Sequence, residues 1–232
     1  MSTAGGRDWR VPPRPTSSHV AAQYIRELVF EGHLRPGERI PQDAVARALG
    51  LSRIPVREAI IALEREGFVT TELHRGAFVS VLDEQAVRDQ YELYGKLWGF
   101  AAARALERSV GEFISELRAA EKRLAEAEDP VLFAQLDVDF GHVILEAAGS
   151  PRVKLVIQAM PGLSPSSFFA IVPEAIAVTK RGNRALLKAF ERGDPDRAAA
   201  CFVTMMCETG ELVVELFHRR GLFSTDGDAA GA

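Results

Sequence analysis

Residues 48–67 leave the backbone little choice. They read Ala-Leu-Gly-Leu-Ser-Arg-Ile-Pro-Val-Arg-Glu-Ala-Ile-Ile-Ala-Leu-Glu-Arg-Glu-Gly. Gly50 ends one short helix, because glycine takes the left-handed cap conformation without strain. Ser52 is placed to N-cap the next helix, with its hydroxyl free to accept a bond from an orphan backbone N–H. Pro55 falls in the first turn, where its missing N–H costs nothing. Val56, Ile60 and Leu63 repeat at helical spacing and form a buried stripe. Arg53 and Arg57 lie one turn apart, off that stripe. A short helix therefore starts after a tight turn with two guanidiniums projecting from its N-terminal end. Such a helix can enter a DNA major groove, where arginine offers a fork to guanine. A solvated basic face in a protein that never meets DNA has the same spacing, so this stretch alone leaves both readings open.

The flanking sequence adds elements to this pair. Residues 1–18 are rich in Gly, Pro, Ser and Thr, with Arg7, Arg10 and Arg14 among them, and read as a flexible tail. From about His19 a helical pattern runs to Gly32, with Val20, Tyr24, Leu28 and Val29 as its apolar stripe. Leu34 to Ile40 contains a Pro-Gly turn flanked by residues suited to a short strand. Gln42 to Leu49 reads as a second short helix, with Ala44, Val45, Ala48 and Leu49 available for packing. Beyond Gly67 the period changes. Phe68 to Thr71 is strand-like, residues 73–76 form a turn, and Ala77 to Val81 returns. A hairpin behind a helix-turn-helix is a wing, and Arg75 beside Gly76 at its tip is placed to touch phosphate or enter a minor groove.

From Asp83 onward no strand pattern occurs. Helices are expected over 83–107, 110–127, 130–148, 151–160, 173–192 and 195–221, broken at Gly149-Ser150-Pro151, Pro161-Gly162 and Gly193-Asp194-Pro195. Short breaks between such helices predict an antiparallel bundle. The net charge of −4 argues at first against a nucleic-acid partner, but its distribution matters more. Residues 1–82 carry 11 Lys and Arg against 9 Asp and Glu, and residues 83–232 carry 17 against 23. The positive excess lies on the half that holds the two arginines. Cys201 and Cys207 sit six apart on an expected helix, facing different sides, and read as buried small apolar residues. No apolar run is long enough to span a bilayer, no secretory signal is present, and no Cys/His cluster has zinc-site spacing. A cytoplasmic protein is expected.

The first part of the chain resembles the winged helix-turn-helix of the GntR family of bacterial transcription regulators. The resemblance is carried by Leu34-Arg35-Pro36-Gly37-Glu38-Arg39-Ile40, by Leu49 to Ile60, by Leu63-Glu64-Arg65-Glu66-Gly67-Phe68-Val69, and by Arg75-Gly76-Ala77-Phe78-Val79. The helical remainder resembles, more loosely, the effector (FCD) domain of the FadR-type branch. The residues concerned are Asp137 to His142 running into Ala147-Ala148-Gly149-Ser150, and Leu186 to Asp194 running into the last helix. The resemblance implies a homodimeric, non-enzymatic regulator that binds a near-palindromic DNA operator and responds to a small metabolite. It implies DNA contacts from Ser52, Arg53, Ile54, Arg57, His74, Arg75 and Gly76. Ile54 stands where threonine is usual and can meet a thymine methyl but not donate a hydrogen bond. Asp43 stands where the fatty-acid-responsive member has arginine, which should weaken phosphate contact there.

Many members of the branch hold a metal through one Asp and three His. By resemblance the Asp is Asp137, and the three His positions are Gly141, Asn183 and Met205. One carboxylate without histidines does not make a zinc or nickel site, so neither metal nor cofactor is expected. Periodicity places His142 on the polar face of its helix with Gln135, Asp139 and Glu146, and His218 has no evident partner. Tyr94 and Trp98 stand where members often carry Arg and Glu. The expected effector-binding set is Tyr94, Trp98, Asp137, Gly141, Asn183 and Met205. It offers aromatic and thioether surface, two small polar handles and the space left by a glycine. A fatty-acyl, aromatic or terpenoid compound suits it better than a di- or tricarboxylate.

The expected architecture is mainly α, an N-terminal winged helix-turn-helix followed by an antiparallel α-helical bundle. The expected units are a tail at 1–18, a DNA-binding domain at 19–82, an effector-binding and dimerisation domain at 83–223, and a disordered tail at 224–232. The expected function is ligand-controlled repression without a metal. The alternatives are a constitutive DNA-binding regulator with a structural bundle and a metal-dependent, carboxylate-responsive regulator.

Overall fold

The computed structural model describes residues 16–81, 83–108, 112–160, 164–165 and 167–223. Residues 1–15 of the expected N-terminal tail, the expected tail at 224–232 and the Pro161-Gly162 break lie outside the described residues.

The N-terminal part is a winged helix-turn-helix. Helix α1 (Ser17–Phe30) starts inside the expected tail, because the Thr16 hydroxyl accepts a bond from the His19 amide and caps it. Its buried face is Ala21, Ala22, Ile25, Arg26, Val29 and Phe30; of the expected stripe Val29 is buried, Tyr24 and Leu28 pack half-buried against the core, and Val20 is exposed. The helix is apolar on several sides, and the close approach of the next helices selects its alanines. Helix α2 (Gln42–Leu49) buries Val45 and Ala46, whereas Ala44 and Ala48 are exposed. It ends at Gly50 in the left-handed conformation, φ 63°. Helix α3 (Arg53–Arg65) buries Val56, Ala59, Ile60 and Leu63. Ser52 occupies the N-cap with extended backbone, but its hydroxyl makes no capping bond.

Strands β1 (Val69–Glu72) and β2 (Gly76–Val79) pair antiparallel, with Val69 opposite Val79 and Glu72 opposite Gly76. The strand expected over 34–40 is reduced to an isolated bridge between Arg39 and Phe78. Even so, the Gly37 and Ile40 amides donate to Val79 and Ala77 carbonyls, each at 2.8 Å. That pairing fixes Arg39 beside the wing.

The remainder is helical: α4 (Glu84–Arg108), α5 (Glu112–Glu126), α6 (Pro130–Ala148), α7 (Pro151–Ala159), α8 (Phe168–Ile171), α9 (Glu174–Glu191) and α10 (Pro195–Arg220). The single-turn α8 carries too little periodicity to be expected from sequence. Asp129, Ser150 and Asp194 cap α6, α7 and α10, each followed by proline in the first turn. Helices α4 and α10 run antiparallel in close contact. A Cβ on Gly95 would lie 2.9 Å from the Val203 Cα, and one on Gly99 would lie 2.9 Å from the Ala199 carbonyl oxygen. At Gly210 it would lie 2.8 Å from the Tyr91 Cβ. The three glycines let the two backbones approach.

Two cores follow. One fills the helical part around Phe133, Phe140, Phe190 and Leu117. The other fills the winged helix and continues into the near ends of α4 and α10 through Val87, Tyr91, Val213 and Phe217. The Phe30 ring lies 5.9 Å from that of Phe68 and 5.6 Å from that of Phe217. The Arg88–Glu211 ion pair, at 2.8 Å, and the contact of His218 Nε2 with Glu84 Oε1, at 2.7 Å, bind α4 to α10 beside this junction. His218, expected to lack a partner, therefore has one. Cys201 is buried, but Cys207 is exposed on α10, against expectation.

Candidate functional site

The turn at Gly50 and the register of β1 on β2 bring α3 and the wing to one face. A cleft of about 600 Å³ lies between them. It is lined by Arg53, Ile54, Arg57, His74 and Gly76 of the expected set, and also by Arg39 and Asp43. Ser52 and Arg75 are not among its lining residues. Arg75 instead pairs with Glu72 and lies over the Phe78 ring, 5.6 Å from its centroid. His74 takes φ 63°, a left-handed conformation that turns the wing tip without a glycine.

The cations on this face differ in freedom. Arg53 is held by Asp43, with Nε to Oδ1 at 2.7 Å and Nη2 to Oδ2 at 2.9 Å. Arg57 and Arg39 are exposed and have no ion-pair partner among the described residues. Arg39 was missed from sequence, because the segment around it signalled only a turn and a strand. Ile54 is 69% exposed, which packing does not explain.

The second feature is a cavity of about 280 Å³ inside the helical part. Tyr94, Trp98, Asp137, Gly141, Asn183 and Met205 all line it, so the structure brings the whole expected set together. Phe140, Phe202, Met206, Ile157 and Met160 complete the apolar wall, and exposed His142 lies at its rim. His142 is thus solvated as expected, yet closer to the cavity than periodicity indicated. The glycine leaves no free space. A Cβ on Gly141 would lie 2.8 Å from Trp98 Cη2, so the indole fills the room that the missing side chain provides. Trp98 stacks on Phe202 at 5.3 Å and meets Tyr94 edge-on at 6.2 Å.

Asn183 is fully buried and its Nδ2 donates to Asp137 Oδ1 at 3.2 Å. Asp137 keeps some solvent contact through the cavity but is densely surrounded by protein. Burial pushes its carboxyl up to about 6, against the opposing pull of the Asn183 bond. Between the unfolded value near 4 and this one, the folded chain holds a proton that the unfolded chain does not. Stability therefore falls as pH rises through that window, and the whole penalty is present above it. Asp137→Asn is expected to melt higher than wild type above pH 6, by about 2 kcal/mol, and to match it near pH 4. Thermal melts across that range check this, and a pH-independent difference contradicts it.

Comparison with known proteins fits both features. A family model described as bacterial regulatory proteins, gntR family, matches residues 17–79, and the FCD domain model matches residues 89–206. The chain belongs to the GntR family. An "uncharacterized HTH-type transcriptional regulator" of Mycobacterium tuberculosis is 30% identical over 209 residues, covering 90% of this chain and 86% of that one. The "Nta operon transcriptional regulator" of Aminobacter aminovorans is 42% identical over 86 residues, 37% of this chain and 41% of that one. A "Probable D-xylose utilization operon transcriptional repressor" of Paenarthrobacter nicotinovorans is 28% identical over 193 residues, 80% and 84% of the two chains. The solved structure "E. coli McbR/YncC" shares the fold, with TM-score 0.61 at 19% identity over 88% of this chain and 98% of that one. The protein is a DNA-binding transcriptional regulator of the GntR/FCD type, not an enzyme.

Residues at the metal-holding positions of many FCD domains do not fit a metal here. Asp137 supplies one carboxylate, Asn183 is spent as its hydrogen-bond donor, and Gly141 supplies nothing. Met205 offers a thioether, a poor ligand for zinc or nickel. Among the described residues no group of three His, Cys, Asp or Glu is placed to hold an ion. No helix of the described residues is long and apolar enough to cross a membrane.

Proposed function

We propose that this regulator is a cytoplasmic homodimeric repressor whose operator affinity is set by a small, largely apolar effector bound without metal. Residues 19–82 form the DNA-binding unit and residues 83–223 the effector-binding and dimerisation unit. Each protomer reads one half of a near-palindromic operator. Arg57 and Arg53 of α3 reach base edges and phosphates, Ile54 meets a thymine methyl, and His74, Arg75 and Gly76 of the wing touch the backbone with Arg39. Ser52 lies at the start of α3, where its backbone faces phosphate. The relative named as a repressor supports the sign of regulation.

The observation that carries the effector reading is the cavity, into which six residues from α4, α6, α9 and α10 converge. Three of those helices also enter the core of the winged helix, α4 and α10 most deeply and α9 through Ala175. An occupant that shifts them alters the setting of α3, and by linkage DNA and effector change each other's affinity by the same factor. Native mass spectrometry of the purified protein, with elemental analysis of the same sample, tests the reading. A dimer without stoichiometric transition metal, releasing an apolar compound that dissociates the protein–DNA complex, is the expected result. A stoichiometric metal, or a complex indifferent to the released compound, contradicts it.

The pair between Arg53 and Asp43 gives a separate expectation. An exposed pair of this kind is worth little in the free protein, but it occupies the guanidinium and sets a negative charge beside the phosphates. Asp43→Asn should tighten binding to any duplex by about three- to tenfold and steepen the salt dependence by about one counterion. Unchanged affinity would place Asp43 outside the interface.

A further inference from the structure

The cavity is unevenly charged. Among the described residues, its walls carry one carboxylate, that of Asp137, and no lysine or arginine. The base at the rim, His142, is exposed. The cations nearest Asn183 along α9 are all engaged elsewhere. Lys180 Nζ donates to the carbonyls of Ala125 and Ala127, Arg181 pairs with Glu208, and Arg184 lies 3.7 Å from Glu121. Asp137 receives one bond, from Asn183. A carboxylate has about four lone-pair sites, so most of its accepting capacity faces the cavity unused.

The rest of the wall is π face and sulfur. The Trp98 ring contacts those of both Tyr94 and Phe202, and Met205 and Met206 also line the wall. Aromatic faces attract cations, most strongly where water is excluded. Burial raises the Tyr94 phenol above its usual range, partly offset by its bond with Trp98, and the nearby Asp137 charge raises it further. An anionic ligand would place a second negative charge beside Asp137 with no lysine or arginine in the walls to offset it.

Resting on the effector reading above, we propose that the cavity selects an organic cation: a protonated amine on an aromatic or alicyclic body. Asp137 holds the ammonium, oriented by Asn183, and the body lies against Trp98, Tyr94 and the two methionines. Fatty acids and other carboxylates are thereby disfavoured.

Three probes that share one skeleton separate the charge preference from simple occupancy: phenylbutylamine, phenylbutanol and phenylbutyrate. Calorimetric titration of the full chain near neutral pH should rank the amine tightest. Its advantage over the alcohol should be about tenfold or more, with the carboxylate weakest. Asp137→Asn, checked by its melting curve, should bring the amine to the level of the alcohol. An alcohol or carboxylate that binds as tightly as the amine overturns the cation preference and leaves the effector cavity standing. Silence from all three up to about 10 mM overturns the cavity as a ligand site, and this inference with it.

Discussion

Gly99→Leu should destabilise the protein by about 3 kcal/mol or more and lower its melting temperature by about 6–12 °C. The reason is backbone, not side chain. At Gly99 even a Cβ would approach the Ala199 carbonyl oxygen to 2.9 Å and its Cα to 3.1 Å, and neither atom can move without moving α10. A larger side chain must push the helices apart. Their separation would open the core around Phe202 and break the neighbouring contact of Gly95 with Val203. Gln85→Leu, on the exposed side of the same helix, is the control and should shift the melt little. If Gly99→Leu melts within a degree or two of wild type, α4 and α10 are not in backbone contact. The link from cavity to winged helix then loses its stiffest part.

The largest effect on DNA binding is expected at Arg57. Arg57→Ala should weaken a specific operator by about 10- to 100-fold, the cost of losing one bidentate base contact, and random duplex far less. Arg53→Ala should cost less. Arg53 must first leave Asp43, which bonds one edge of its guanidinium through Nε and Nη2, so part of its gain on DNA replaces an existing interaction. Arg57 begins with no such partner among the described residues. Anisotropy titrations on operator and random duplex separate the cases. Equal losses on both duplexes would make Arg57 a phosphate anchor, and a larger loss for Arg53→Ala would reverse the order argued from the ion pair.

Sequence made the local signals legible and the cross-element ones obscure. Gly50 and Pro55 fixed the turn into α3, and Ser150-Pro151 and Asp194-Pro195 marked breaks at which helices start, because caps act within a few residues. The six residues of the cavity could be named because the resemblance to the FCD domain assigns their positions; helical period alone would not have gathered them from four helices. What could not be read was who fills the space between them. Gly141 signalled room, and Trp98 occupies it, a contact between helices more than forty positions apart. Phe202 and Met206 were missed on α10, which is apolar around much of its girth. The α1 stripe missed its alanines for a related reason. Alanine carries little signal in a hydrophobic pattern, yet Ala21 and Ala22 are what let α1 pack closely. The Asp43–Arg53 pair joins two helices across the turn and left no mark beyond an unexpected charge at residue 43.

Selection from a random duplex library with the purified full chain tests the central claim most directly. The account predicts enrichment of one motif with two half-sites in inverted repeat. Arg57→Ala should lose it, and wild-type protein should release it when the compound it carries is added back. Recovery of no motif above the starting library would contradict the assignment of α3 and the wing as a sequence-reading surface.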